Sequence, residues 1–202
     1  CIMDLIMQSS NRFIDEMKLN AYLKERTIYL NDDEINEETE FIINRMFEKI
    51  VANDEKEGIL PTEAKPIYLK ISSYGGAVYA SLSIIACIEQ LKEKGYKIIG
   101  IGYGKIMSGA FKILISCSER WCQRHTRFLF HQVQHFEMGH SSVEQSRRSL
   151  KDLDELWRRC QDIIIKYTKI TQERLDEITR LDLDVNLWAE EALELGVVDK
   201  IL

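Results

Sequence analysis

The stretch from Lys97 to Phe111, KIIGIGYGKIMSGAF, constrains the fold more than any other part of the chain. It opens as a β-branched apolar run (Ile98, Ile99, Ile101), crosses Gly100, Gly102 and Gly104, which read as a bend, and enters SGAFKILIS. That last segment is apolar on too many sides for a surface helix and predicts a buried one. A strand turning tightly into a buried helix holds one side chain at a fixed point beside the helix's first N–H groups, which have no intrahelical partners. Here that side chain is the hydroxyl of Ser108, a residue that also suits an ordinary helix N-cap.

The flanking segments predict repeated strand–helix units. Thr27–Leu30 reads as a strand. Glu37 to Val51 reads as a helix with Phe41, Ile42, Met46, Phe47 and Ile50 facing inward, and the charged stretch from Asn53 to Lys65 as a long exposed loop. A strand over Pro66–Ile71 runs into Ser72-Ser73-Tyr74-Gly75-Gly76 and a helix from Ala77 to Lys92, stopped by Gly95. With the strand beginning at Lys97, this predicts a parallel, right-handed βαβ unit. Paired glycines between strand and helix let backbone N–H groups point outward; no Walker lysine follows, so a nucleotide site is not indicated.

Further strands are expected at Arg120–Cys122 and Thr126–Val133, with His131 at a strand end, where open α/β sheets place ligands. From Val143 to Tyr167 the apolar residues Val143, Leu150, Leu153, Trp157, Cys160, Ile164 and Tyr167 fall three and four apart. Such a narrow stripe on a long charged helix packs against another helix, and the expected partner is another subunit. Thr171–Arg180 reads as a helix and Asp182–Asn186 as a polar corner. Trp188–Leu195 is a helix closed by Gly196, followed by a terminal strand at Val197-Val198. Near the start, Ile2–Met17 is amphipathic and expected to dock on its own domain or on a neighbour.

At 202 residues and 45% hydrophobic content the chain suits one domain with a substantial core. A net charge of −6 without a basic stripe argues against nucleic-acid binding. The five cysteines (Cys1, Cys87, Cys117, Cys122, Cys160) follow no disulfide framework and read as reduced core thiols of a cytoplasmic protein. No apolar run approaches the ~18 residues of a membrane span, and the start lacks a secretory leader pattern, so neither a membrane protein nor a secreted one is expected. Cys117, Cys122 and His125 fit no zinc spacing, so no metal is expected; His135 and His140 read as solvated loop residues.

Chemistry concentrates on four features: the Gly75-Gly76 pair, Ser108, His131 and Asp184 in the polar corner. A serine hydroxyl becomes a nucleophile when an imidazole takes its proton and a carboxylate holds that imidazole in the right tautomer. The tetrahedral oxyanion needs two donors, which the N–H groups of Gly76 and Gly109 would supply. The order Ser, His, Asp matches no familiar hydrolase, and no G-x-S-x-G elbow occurs. Spacing alone therefore also admits a cap serine, a hydrogen-bonded strand-end histidine and a turn aspartate.

YLKERTIYL, IYLKISSYGGAVYASLSI, IGYGKIMSGAFKIL, RFLFHQV and NLWAEEALELGVVDKIL resemble, in that order, the proteolytic subunit of the ATP-dependent Clp protease, over about Tyr22 to Leu202. The resemblance implies an α/β fold, a Clp/crotonase-like spiral of βαβ units with a protruding handle helix. It implies one peptidase domain over residues 1–202, with 1–20 an N-terminal segment and 134–168 the handle. It further implies a triad of Ser108, His131 and Asp184, with Gly76 and Gly109 as oxyanion donors and no cofactor. The expected assembly is a tetradecamer of two stacked heptameric rings, or a mixed ring with a paralogue. An AAA+ unfoldase would feed it unfolded polypeptides. Tyr74 stands where the family's S-P-G-G motif has proline, and Val133 where proline commonly follows the HQ pair. An ungapped alignment on GAF puts Met107 at the nucleophile's place. Superfamily members resembling A-S-G-G-Y, with serine directly before the small pair, favour Ser108. A non-catalytic ring subunit and a crotonase-type acyl-CoA enzyme are the alternatives; the HQ pair and Asp184 count against the latter.

Overall fold

Burial alternates residue by residue along Ile67–Ser73, the signature of a strand with one face on the core. In the computed structural model, which describes residues 23–31, 34–134 and 142–202, this strand is β2. It follows β1 (Thr27–Leu30) and α1 (Glu37–Glu57). Then come α2 (Val78–Glu93), β3 (Ile98–Met107), α3 (Gly109–Ile115), β4 (Glu119–Cys122) and β5 (Arg127–Phe130). The chain ends with α4 (Val143–Tyr167), α5 (Gln172–Leu181), β6 (Val185–Leu187), α6 (Ala189–Glu194) and β7 (Lys200–Ile201). This mixed α/β arrangement, with six helices and a largely parallel sheet among the described residues, fits the expected fold.

The sheet runs β1-β2-β3-β4-β7, all parallel, and it divides at β3. Ile99–Gly102 of β3 pairs with β4, whereas Lys105–Met107 pairs with β5. The short β6 then joins the far edge of β5, antiparallel to it. Residues Ile67, Leu69 and Ile71 of β2 are fully buried under the helices, together with Ile28, Leu30, Ile106, Phe128 and Phe130. All seven residues of α3 are buried, as expected for SGAFKILIS. Phe111 stacks on Phe130 at 4.9 Å between ring centres, which ties α3 to β5.

Several expectations are corrected. α1 continues past Val51 to Glu57 and stops at Gly58, whose φ of 71° closes the helix. Residues 53–57 of the charged segment read as loop are its end, held inward by Ile50 and by Asp54, which accepts a hydrogen bond from Arg26 Nη1 at 2.6 Å, and residues 58–65 form turns and loop as expected. Ile43, Met46, Phe47 and Ile50 form the buried face, so Phe41 and Ile42 point outward. The expected bend falls at Gly104, whose φ is 65° and where β3 slips its register on β2 (Ile71 pairs with Gly102 but Ser73 with Ile106), whereas Gly100 and Gly102 lie in the regular ladder. A side chain at Gly100 would place its Cβ 2.7 Å from Leu114 Cδ1 and 2.9 Å from Cys117 Sγ, so this glycine serves close packing of α3 on the strand. β5 ends at Phe130 rather than Val133. Asn186 belongs to β6, a strand the hydropathy pattern did not reveal, and the terminal strand lies at Lys200–Ile201 while Val197 and Val198 plug the core before it. α4 has the expected bounds and a Ser142–Gln145 capping box. Among the described residues its buried side chains, Trp157, Cys160, Gln161 and Ile164, all lie in its second half, while Val143 and Leu150 are exposed. The expected Ile2–Met17 helix lies outside the described residues, as does most of the loop after His131.

Cys117, Cys122 and Cys160 are buried free thiols, and Cys87 is half-buried. Burial pushes the Cys117 thiol up to about 12 and that of Cys122 to about 11, which keeps both protonated and inert. No described helix is long and apolar enough to cross a membrane.

Lys112, on α3, is 3% exposed. Burial pushes its ammonium below the ordinary lysine range, with neighbouring Cys160 acting weakly the other way. The unfolded chain thus holds this proton more tightly than the folded one. The resulting destabilisation is complete below the folded-state pKa and fades as pH rises toward the unfolded value. Lys112→Met is expected to stabilise the protein by about 1–3 kcal/mol at pH 7. Thermal melts of both proteins at pH 7 and pH 10 should show that advantage shrinking at the higher pH.

Candidate active site

β3 delivers the chain to Met107, and the next residue turns it into α3. Ser108 makes this turn at φ 51° and ψ −111°, one of three described non-glycine residues with positive φ. Its N–H donates to the Leu129 carbonyl at 2.8 Å, and its own carbonyl accepts from Lys112 N at 3.4 Å, so strand and helix hold it on both sides. Such backbone costs about 1–3 kcal/mol and persists where the surroundings over-determine it. The hydroxyl makes no capping bond to α3. The ordinary N-cap reading therefore does not describe Ser108: its oxygen is displayed, as in a nucleophile elbow. Met107 is still part of β3, paired with Leu129.

The glycine pair packs directly under this turn. A Cβ at Gly75, where φ is 95°, would lie 2.6 Å from the Met107 carbonyl oxygen, 2.7 Å from Gly109 N and 2.8 Å from Ser108 Cβ. Ile35 bridges the next residue: its N–H donates to the Gly75 carbonyl and its carbonyl accepts from Ala77 N, both at 2.7 Å. That pattern leaves the Gly76 N–H unused. Gly109 N, first in α3, likewise has no partner within its helix. A Cβ on Gly109 would lie 3.6 Å from Gly76 N and 2.3 Å from Ser81 Oγ. Two donors with no hydrogen-bond partner among the described residues thus lie close together beside Ser108, and only glycine allows the approach.

His131 leaves the end of β5, and Asp184 immediately precedes β6. The β5–β6 ladder pairs Phe128 with Leu187, Leu129 with Asn186 and Phe130 with Val185, so His131 and Asp184 are the residues that immediately follow and precede its last pair. Strand pairing therefore brings all three candidate residues to one corner, at the shared end of β3, β5 and β6. Their side chains are not yet joined: among the described residues no hydrogen bond links Ser108 to His131 or His131 to Asp184. Instead His131 Nδ1 lies 2.6 Å from the Gln132 carbonyl. A carbonyl only accepts, so Nδ1 carries the proton and Nε2 is left with the lone pair that a general base requires. Gln132 Nε2 in turn donates to Asp182 Oδ1, clamping the exit of β5 to the end of α5. Sequence reasoning missed this clamp and the Leu129 carbonyl anchor. Both join segments far apart in the chain, and only the HQ pair itself hinted at one of them.

Comparison with known proteins identifies the family. The Clp protease family model matches residues 9–202. An ATP-dependent Clp protease proteolytic subunit 3 from Parasynechococcus marenigrum (strain WH8102) is 30% identical over 141 residues, covering 69% of this chain and 68% of the relative. An ATP-dependent Clp protease proteolytic subunit from Dehalococcoides mccartyi (strain CBDB1) is 25% identical over 205 residues, covering all of this chain and 94% of the relative. With a matched segment that spans the split sheet, the Ser108 turn and the β5–β6 corner, the chain belongs to the Clp protease family.

Proposed function

We propose that the chain is a serine endopeptidase subunit acting on unfolded polypeptides, with Ser108 as nucleophile, His131 as general base and Asp184 as the carboxylate that orients it. The carrying observation is the Ser108 turn, a strained, uncapped serine beside the unbonded N–H groups of Gly76 and Gly109. In the first step the Ser108 hydroxyl proton passes to His131 Nε2 while Oγ adds to the scissile carbonyl. The oxyanion is met by the Gly76 and Gly109 N–H groups, and His131 then gives its proton to the leaving amine. Water, deprotonated by the same imidazole, hydrolyses the acyl-enzyme and returns Ser108 to its starting state. For this cycle the imidazole exchanges the Gln132 carbonyl for Asp184, a short swing within the β5–β6 corner.

The assembly we infer is a heptameric ring, stacked into a tetradecamer or shared with a paralogue. The exposed Val143 and Leu150 of α4 support a further subunit, and a relative named subunit 3 supports the paralogue. The relatives' names are ATP-dependent, and this chain has no Walker motif, so an AAA+ unfoldase supplies the ATP-driven step. We place the protein in the cytoplasm as one peptidase domain with a handle over residues 134–168.

A second reading, a non-catalytic ring subunit, draws on the unjoined side chains of the three candidates. Intact mass after incubation with a fluorophosphonate probe separates the two. A single adduct on the wild type that is absent from Ser108→Ala is expected. An assembled wild type that takes no adduct would leave the non-catalytic reading standing.

A further inference from the structure

Two consecutive residues after β5 are held in series. His131 Nδ1 donates to the Gln132 carbonyl at 2.6 Å, and the Gln132 side chain donates from Nε2 to Asp182 Oδ1. Both contacts lie beyond the Phe130–Val185 pair, where β5 has ended and β6 has not begun. Asp182 is the fixed post. It closes α5 in the left-handed conformation, φ 50° and ψ 54°, with its N–H directed at the Ile178 and Thr179 carbonyls. The next residue, Leu183, donates its N–H to Ile178 and packs on the core. The last turn of α5 is pinned in turn to α4, since Trp157 Nε1 donates to Thr179 Oγ1 at 2.6 Å. Gln132 is the movable half. No ladder among the described residues includes it, so the bond to Asp182 governs how its peptide unit lies.

An imidazole has one Nδ1 proton, and the carbonyl that accepts it keeps it from the Asp184 carboxylate. A carboxylate is the stronger acceptor of the two, because charge roughly doubles a hydrogen bond. The neutral carbonyl competes because it is already held beside the ring. Whatever holds Gln132 therefore holds the imidazole, and whatever frees Gln132 hands the imidazole to Asp184. Asp182 and Asp184 stand two residues apart, so one carboxylate secures the catch and the other receives what it releases. We propose that Gln132 and Asp182 are positioning residues that keep His131 off Asp184, and that opening of the Gln132–Asp182 bond completes the triad. The inference rests on the peptidase reading for the activity that this latch restrains. A hydrogen bond to an exposed carboxylate biases such an equilibrium by about 3–10-fold.

Variants of the full-length chain test the latch. Asp182→Gly removes the acceptor and suits the left-handed turn, so it opens the latch without loss of fold. Gln132→Glu opens it by setting two carboxylates against each other, whereas Gln132→Lys closes it more tightly through an ion pair. The rate at which a fluorophosphonate labels Ser108 is expected to rise about 3–10-fold in Asp182→Gly and Gln132→Glu, with KM for peptides unchanged. In Gln132→Lys it should fall. Asp182→Asn keeps an acceptor without the charge and should stay within about 2-fold of the wild type, which separates the bond from the field of the carboxylate. A contact that only supported the structure would slow labelling when broken.

The imidazole is followed separately by nuclear magnetic resonance on Ser108→Ala protein with isotope-labelled histidine, His131 being assigned among the four histidines by His131→Gln. Adding Asp182→Gly should move the Nδ1 proton downfield, as a carbonyl gives way to a carboxylate, and adding Asp184→Asn as well should reverse the move. An Nδ1 proton that stays in place overturns the latch, and so does labelling that occurs but is no faster in Asp182→Gly and Gln132→Glu. Labelling absent from the wild type and all variants, with the Nδ1 proton moving as expected, removes the peptidase reading and keeps the latch. Labelling of the wild type with an unmoved Nδ1 proton removes the latch alone.

Discussion

Ser108→Ala is expected to lower the rate of peptide hydrolysis by at least roughly 10⁴-fold while leaving the fold and the oligomeric state unchanged. The loss follows from chemistry: no other hydroxyl occupies the turn between β3 and α3, and the Gly76 and Gly109 donors have nothing to act on without a nucleophile beside them. A companion substitution isolates the backbone. At φ 51° a β-carbon is strained, so Ser108→Gly should raise stability by about 1 kcal/mol in urea titrations while abolishing hydrolysis as fully as alanine does. Opposite movements of stability and activity at one position would mark strain kept for function. A Ser108→Ala protein that still hydrolyses peptides would place the nucleophile elsewhere.

Gly75→Ala carries the second large effect. The added methyl would meet the Met107 carbonyl, Gly109 N and Ser108 Cβ, all within 2.8 Å and all part of the turn that displays the serine. Backbone atoms on two sides leave it no escape, and φ of 95° is itself unsuited to an L-residue. We expect a loss of about 3 kcal/mol or more in urea unfolding, and a fall in kcat of at least 100-fold because the turn moves by a fraction of an ångström. Gly58→Ala is the matched control. Its φ is 71°, but nothing lies within 4 Å of the new methyl, so only the backbone cost of about 1–2 kcal/mol should appear, with kcat unchanged. Equal effects at the two glycines would show that conformation, and not crowding against the serine turn, explains Gly75.

The elements beside Ser108 were legible because each is long or strongly patterned. β2, α2, α3 and α4 stand close to where periodicity put them, and their connections carry the usual glycines. What escaped was set by partners distant in the chain. β6 is three residues long with one half-buried, one exposed and one buried side chain, and it exists as a strand only because β5 lies beside it. Gly100 looked like part of the bend at Gly104 since nothing local says that Leu114 and Cys117 press on that strand. Likewise the last turns of α1 read as loop until Arg26, 28 positions away, supplies the partner that draws Asp54 inward. The candidate site divides the same way. Residue types marked Ser108, His131 and Asp184 as candidates and the family resemblance gave them roles, but the Phe130–Val185 pair that brings the last two near each other joins segments about fifty residues apart.

The division of the sheet at β3 has one more consequence. Ser108, His131 and Asp184 all hang from the smaller leaf, in which β5 and β6 contribute three rungs each and the outer edge of β6 pairs with no described strand. The larger leaf carries the long ladders and the bulk of the core. Cooperative units with few rungs open at lower free energy than the whole molecule. The candidate corner can thus loosen and re-form while the body of the chain stays folded, which on the peptidase reading turns the small leaf into a throttle. Anything that grips it, such as a neighbouring subunit resting against β6, would then set how often Ser108, His131 and Asp184 stand together.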